Sequence, residues 1–128
     1  MNDPVFRFRD DPHASTVVVD VDPFYTTPLG AAYLADSREI LASMRDGSAN
    51  LVFTSPPYAL HFKKEYGNVE KNEYVEWFLT FAREIWRVLP DDGSFVVNVG
   101  GSYNKGIPTR STYHFKLLLA LVEEVGFH

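Results

Sequence analysis

A chain of 128 residues that is 45% apolar, 23% charged and 15% aromatic has the make-up of a single globular domain. Its net charge of −5 and its lack of cysteine exclude a broadly basic DNA-binding module, a disulfide scaffold, thiolate metal sites and a thiol nucleophile. No apolar run approaches the roughly 18 residues of a membrane span, and the opening Phe6-Arg7-Phe8-Arg9-Asp10 is too charged for a signal peptide, which fits a cytoplasmic protein.

Residues 1–24 read as an N-terminal arm: polar, with Pro4, Pro12 and several acids, and with one short strand candidate at Thr16-Val17-Val18-Val19 that Asp20, Asp22 and Pro23 end. Phe24 to Gly30 reads as a loop. Ala31-Ala32-Tyr33-Leu34 predicts a small strand that delivers Asp36 and Ser37 at its end. Ser37 is the predicted N-cap of a helix reaching about Arg45, with Ile40, Leu41 and Met44 on one face. Asp46-Gly47-Ser48 is a turn.

Leu51-Val52-Phe53 then reads as a buried strand running straight into Thr54-Ser55-Pro56-Pro57-Tyr58. Each proline fixes its own φ and restricts the residue before it, so Ser55 and Tyr58 are held in a nearly constant relation. They sit just past a strand's carboxyl end, where ligands bind in open α/β sheets. A hydroxyl, carbonyls and an aromatic face within four residues suit a planar, hydrogen-bonding ligand such as a nucleobase. The residues alone leave a second reading equally open, a Pro-rich turn with Tyr58 as a packing residue.

Residues 59–71 form a long polar connection, of a length that is uncommon unless functional. Asn72 is the predicted cap of a helix to about Leu89. Tyr74, Phe78, Phe81, Ile85 and Leu89 make its core stripe, widened by Trp77 and Trp86. Pro90-Asp91-Asp92-Gly93 breaks that helix. Ser94 to Val99 is the best strand in the chain, Gly100 to Gly106 a flexible loop lining a cleft, and Tyr113 to Val125 a helix stopped by Gly126. The βα alternation points to an α/β fold, a parallel sheet covered by helices. The chain stops after a helix, where another strand is expected, and so few strands leave an open edge. The expectation is a fragment or one half of a larger assembly.

The loop at 100–106 is no phosphate cradle: GxGxxG is absent, and Lys105-Gly106 has no following Ser or Thr. His13, His61, His114 and His128 are not at ligand spacing, so no metal is predicted. Ser55 lacks the glycine neighbours of a nucleophile elbow.

Thr-Ser-Pro-Pro-Tyr after an apolar strand resembles the catalytic motif of the amino-group DNA methyltransferases, (Asp/Asn/Ser)-Pro-Pro-(Tyr/Phe), in the serine form of the cytosine-N4 branch. Asp36-Ser37-Arg38-Glu39-Ile40-Leu41 is similar to that family's Asp-Ser-x-Glu-x-Leu stretch. Lys63 to Asn68, Glu73 to Phe78, Asp92 to Val97 and the Gly-Gly-x-Tyr-x-Lys-Gly loop at 100–106 resemble the PvuII-type cytosine-N4 enzymes.

The resemblance implies a class I S-adenosylmethionine-dependent methyltransferase fold, Rossmann-like and incomplete here, with residues 25–128 as its catalytic part. It implies methyl transfer from S-adenosylmethionine to the N4 amino group of a cytosine flipped out of double-stranded DNA. Ser55, Pro56, Pro57 and Tyr58 would be catalytic: Tyr58 stacks on the base, while Ser55 and the Pro56 carbonyl accept hydrogen bonds from the amino group. Asp36 and Ser55 would face the cofactor. Adenine-N6 methylation and a non-catalytic binding or assembly module are the alternatives. The family's cofactor block, Phe-x-Gly-x-Gly, appears nowhere in the 128 residues, nor does the target-recognition segment. The implied partners are therefore DNA and the remaining C-terminal half of the enzyme or a complementing chain, with homo-oligomerisation open and no membrane involved.

Overall fold

Two pairs of strands and three helices, the last continued by a π-helical turn, are formed by residues 21–27, 29–58 and 73–128, the part described by the computed structural model. The site-bearing pair is β3 (Leu51–Thr54) and β4 (Ser94–Val97), which run parallel with Leu51 opposite Ser94 and Thr54 opposite Val97. Parallel neighbours need a crossover, and the crossover here carries α2 (Tyr74–Val88). The ladder continues past both ends of the pair, through Ser94 N–H to the Asn50 carbonyl (2.9 Å) and Asn98 N–H to the Thr54 carbonyl (2.8 Å).

Strand alternation decides what faces inward. Val52, Thr54, Phe95 and Val97 are half-buried, while Leu51, Phe53, Ser94 and Val96 are exposed. On the covered side Phe95, Val97 and Val99 pack against a core built by α2 and α3 (Tyr113–Ala120). Its fully buried members include Tyr74, Leu79 and Leu117. Aromatic rings mesh across the elements, with Tyr74 edge-on to Tyr113 at 4.9 Å and Phe78 stacked on Phe95 at 6.3 Å. The last helix passes through the π-helical turn Leu121–Val125 and ends at Gly126, whose φ of 102° is the left-handed cap expected of that glycine.

Several boundaries differ from the sequence reading, each for a physical reason. The strand expected at 31–34 is β2 (Gly30–Ala32), and the segment expected to be a loop contains β1 (Tyr25–Thr27). The two pair antiparallel, Tyr25 with Ala32, as a hairpin separate from the parallel sheet. Strands of three residues carry no readable period. In α1 (Ser37–Ser43) the N-cap is Asp36, not Ser37, because the Asp36 carboxylate takes the Arg38 N–H at 2.9 Å. Glu73 occupies the N-cap position of α2; the candidates Thr16–Val19, residues 59–71 and Asn72 lie outside the described residues. The buried stripe of α2 runs through Tyr74, Phe78, Ala82, Ile85 and Val88, leaving Trp86 exposed. The loop after β4 is pinned at its neck by Asn104 N–H to the Thr109 carbonyl (2.8 Å) and Ser111 N–H to the Ser102 carbonyl (2.7 Å).

Arg87, near the end of α2, ties the lead-in of β3 to the helix. Its guanidinium donates to the Leu41 carbonyl (2.7 Å), the Met44 carbonyl (2.8 Å), Asp46 (2.5 Å) and Glu84 (2.8 Å). Two backbone bonds run alongside, Gly47 N–H to the Arg87 carbonyl and Ala49 N–H to the Val88 carbonyl. Arg87→Ala is expected to remove about 1–2 kcal/mol of stability, which a thermal melt reads as a fall of several degrees. Arg87→Lys restores little of it, because an ammonium cannot reproduce the fork.

Candidate active site

The Ser55–Tyr58 segment leaves the carboxyl end of β3, and Asn98–Gly101 leaves the carboxyl end of β4 beside it. Pro56 is buried, Pro57 and Tyr58 are half-buried, and Ser55 is exposed. The buried proline anchors the turn, so the residues on either side of it are presented rather than packed away. No hydrogen bond occupies the Ser55 hydroxyl among the described residues.

Tyr58 does not stand alone. Its ring lies against the α-carbon of Gly100, where a methyl group in place of hydrogen would sit 3.1 Å from Cε2 and 3.4 Å from Cδ2. Behind that glycine the Tyr113 hydroxyl donates to the Gly100 carbonyl. Tyr74 packs against Tyr113, and its phenol is pushed well above the ordinary range, by burial first and then by the neighbouring phenols of Tyr113 and Tyr58. The Tyr74 hydroxyl has no hydrogen-bond partner among the described residues.

Asp36 occupies a different corner. Besides capping α1, its carboxylate receives a fork from Arg38, with Nε at 3.0 Å and Nη2 at 2.5 Å. Arg38 also lies over the Phe81 ring at 5.5 Å, which joins α1 to α2. The hydrogen bonds from the Arg38 side chain and then from its backbone hold the Asp36 carboxyl down at about 2. Among the described residues no hydrogen bond links Asp36 to the Ser55–Tyr58 segment.

A serine-bearing Pro-Pro-Tyr turn at the carboxyl end of a helix-covered parallel strand has counterparts in known proteins. The profile described as DNA methylase, covering enzymes of the N6 and N4 classes, matches residues 49–128. The chain belongs to the N6/N4 DNA methylase family. Its relatives include the type II methyltransferase M.PvuII of Proteus hauseri, 55% identical over 105 residues, which are 82% of this chain and 31% of that protein. M.SfiI of Streptomyces fimbriatus is 39% identical over 103 residues, 72% of this chain and 24% of its own length. Among solved structures, the PvuII DNA methyltransferase described as cytosine-N4-specific superposes with a TM-score of 0.72 at 54% identity, over 82% of this chain and 37% of that one. This methylase segment therefore has the S-adenosylmethionine-dependent methyltransferase fold, in part, and spans about a quarter to a third of the length of these relatives.

Of the residues singled out in the sequence, the fold brings Ser55, Pro56, Pro57 and Tyr58 together with the start of the 100–106 loop and leaves Asp36 with Arg38. Sequence reasoning missed Gly100 as a neighbour of Tyr58 and Tyr113 as a donor to the Gly100 carbonyl. The only signal was the glycine pair after a strand, which marks a close backbone approach without naming what approaches.

The Asp36–Arg38 fork gives a pH test. The folded carboxyl is depressed from 3.8 to about 2. Its contribution to the start of α1 is therefore complete above the unfolded value and fades as pH falls from near 3.8 through about 2. A carboxyl-carbon NMR titration is expected to give a midpoint close to 2 for Asp36, rising back toward 3.8 in Arg38→Ala.

Proposed function

We propose that this segment is the catalytic portion of a site-specific DNA methyltransferase that moves a methyl group to the exocyclic N4 amino group of a flipped cytosine. The observation that carries the reading is the Ser55-Pro56-Pro57-Tyr58 turn at the carboxyl end of β3, in a chain 55% identical over its matched part to M.PvuII. The methyl donor in this proposal is S-adenosylmethionine, which supplies an electrophilic methyl group. The residues present fit the acceptor base better than they fit that donor. The Ser55 hydroxyl has no hydrogen bond among the described residues and Tyr58 offers a ring, whereas Phe-x-Gly-x-Gly is absent from the sequence and the Asp36 carboxylate is engaged by Arg38. Cofactor contacts by Asp36 and Ser55 are part of the proposal.

On the acceptor side each residue has one task. Tyr58 stacks on the extruded ring, which must leave the duplex to be reached. Ser55 and the Pro56 carbonyl accept hydrogen bonds from the amino group and aim its nitrogen. Pro57 fixes the angle between the two. The proton leaves the nitrogen after the methyl arrives, to water or through a relay, so Ser55 need not be a strong base. No covalent bond forms between protein and base, in keeping with a chain that has no cysteine.

The proposed partners are double-stranded DNA and the remainder of the methyltransferase, on the same polypeptide or on a complementing chain, working in the cytoplasm. Support for the second comes from the sheet. Parallel strands are ordinarily covered on both faces, yet Leu51, Phe53 and Val96 are exposed opposite the α2–α3 side. The relatives are about three to four times longer than the part this chain matches and have the additional chain to cover that face.

The direct test is to incubate the 128-residue chain, alone and joined to the remainder of the enzyme, with DNA and labelled donor, then digest the DNA to nucleosides. No transfer by the chain alone and N4-methylcytosine from the joined protein are expected. N6-methyladenine would replace the cytosine reading by the adenine one, and no methylated base would end both.

Within the active enzyme, Ser55→Ala is expected to lower single-turnover methylation about ten- to two-hundredfold with DNA binding nearly intact, the effect of losing a hydrogen bond to a group that becomes charged. An unchanged rate would leave Ser55 as a turn former. Tyr58→Ala is expected to impair base capture by about 1–3 kcal/mol, and Tyr58→Phe little, because the stacking face is kept. 2-Aminopurine fluorescence at the target position measures the difference.

A further inference from the structure

We infer that Gly100 and Tyr113 are positioning residues for methyl transfer: Tyr113 holds the Gly100 backbone, and the Gly100 backbone sets the angle at which the Tyr58 ring receives the base. The inference rests on the proposed role of Tyr58 and adds the parts that aim it.

The proline pair fixes the backbone that enters Tyr58, but it leaves χ1 and χ2 of the tyrosine free. Rotamer freedom at a stacking ring must be removed by a neighbour. Among the described residues Gly100 is such a neighbour. A Cβ there would stand 3.1 Å from Cε2, 3.4 Å from Cδ2 and 3.6 Å from Cζ, so the glycine leaves no spare room beside the ring. No residue other than glycine leaves room for this approach without moving the ring by a few tenths of an ångström.

A glycine in a loop is a poor stop unless the loop is itself held. Two bonds hold it. On the upstream side Asn98 N–H donates to the Thr54 carbonyl at 2.8 Å, so the residue two places before Gly100 is locked to the residue just before Ser55. On the downstream side the Tyr113 hydroxyl donates to the Gly100 carbonyl across a gap of thirteen residues. Tyr113 is buried at the first turn of α3 and braced edge-on by Tyr74, which is fully buried at the first turn of α2. The starts of two core helices thus set the position of one carbonyl, and through it the position of one ring. The phenol of Tyr74 feels both Tyr113 and Tyr58, which places the three tyrosines in one cluster.

Tyr113→Phe keeps the ring and its packing against Tyr74 and removes the hydroxyl that donates to the Gly100 carbonyl. Gly100→Ala tests the same chain from the other end by pushing on the ring.

The experiment places 3-fluorotyrosine at position 58 and records its fluorine spectrum in the otherwise wild-type protein, in Tyr113→Phe and in Gly100→Ala, with melting curves to verify folding. It also measures kcat and the KM for DNA in the active enzyme for Tyr113→Phe in the wild-type and Tyr58→Ala backgrounds. The expected result is a shifted or broadened position-58 resonance in both variants. Tyr113→Phe should lower kcat about two- to tenfold, the effect of one hydrogen bond, with KM for DNA nearly unchanged. It should produce no further loss once Tyr58 is alanine, since residues acting through one another are not additive. An unmoved position-58 resonance in folded Tyr113→Phe overturns the inference. So does an equal loss of kcat in the Tyr58→Ala background, which would mean that Tyr113 acts on the fold alone. If both resonances move while Tyr58→Ala itself leaves turnover intact, the linkage from Tyr113 to the ring stands and the stacking role proposed for Tyr58 fails.

Discussion

Everything at the site depends on the parallel pairing of β3 with β4. Register is the strong part of that constraint: with Thr54 opposite Val97, both chains leave the sheet at the same level. The bond from Asn98 N–H to the Thr54 carbonyl carries the ladder one step beyond the strands, so the two loops begin from a shared fixed point. A slip of β4 by one residue would turn its side chains to the other face. It would bury the exposed Val96 and expel Phe95 and Val97 from the core. The aromatic packing of Phe95 against Phe78 and Phe127 therefore protects the site's geometry from a distance.

The second constraint is α2, which serves two loops from its two ends. Its first turn puts Tyr74 against Tyr113 behind the glycine loop. Its last turn puts Arg87 on the carbonyls that close α1 and on Asp46, while backbone bonds from Gly47 and Ala49 fasten the lead-in of β3. Gly47 takes a φ of 62°, a left-handed conformation that the turn requires and that glycine adopts without strain. A helix buried along Tyr74, Phe78, Ala82, Ile85 and Val88 is a stiff spacer between those ends. Strand entry and site loop are thereby referred to the same rigid body.

What could be read from the sequence follows from how local each signal is. The strand 51–54, the helix from Tyr74, the strand from Ser94 and the stop at Gly126 all carry dense local signals: an apolar run meeting two prolines, a 3.6-residue stripe, β-branched residues after a Pro-Asp-Asp-Gly break, a glycine after the last turn. The Ser55–Tyr58 turn was legible for the same reason. The β1–β2 hairpin was not, because three-residue strands are defined by their partner and not by their own pattern. Asp36 and Ser37 are both good caps, and the choice between them is made by Arg38, whose fork no cap preference anticipates. The exposure of Trp86 shows the limit of a stripe drawn wide, since the core needed only a narrower face of α2. The link from Tyr113 to Gly100 spans thirteen residues and joins a helix to a loop, so no window of sequence contains it.

The chemistry proposed for this turn explains why so much of the fold is given to aim rather than to acid–base strength. An exocyclic amino nitrogen is a weak nucleophile because its lone pair is delocalised into the ring, and a serine hydroxyl is too weak a base to change that by taking a proton first. What a protein can do is hold the nitrogen in the direction of attack, where orientation alone contributes several kcal/mol and small misplacements are costly. A hydroxyl and a carbonyl can turn the amino group only if the base itself is fixed, and the base is fixed only if the surface it stacks on is fixed. That order of dependence runs from Ser55 and Pro56 to Tyr58, from Tyr58 to Gly100, and from Gly100 to the Asn98 backbone and the Tyr113 hydroxyl. Each step replaces a freely turning group by one less mobile than itself. It ends on a strand ladder and on the buried first turns of two core helices.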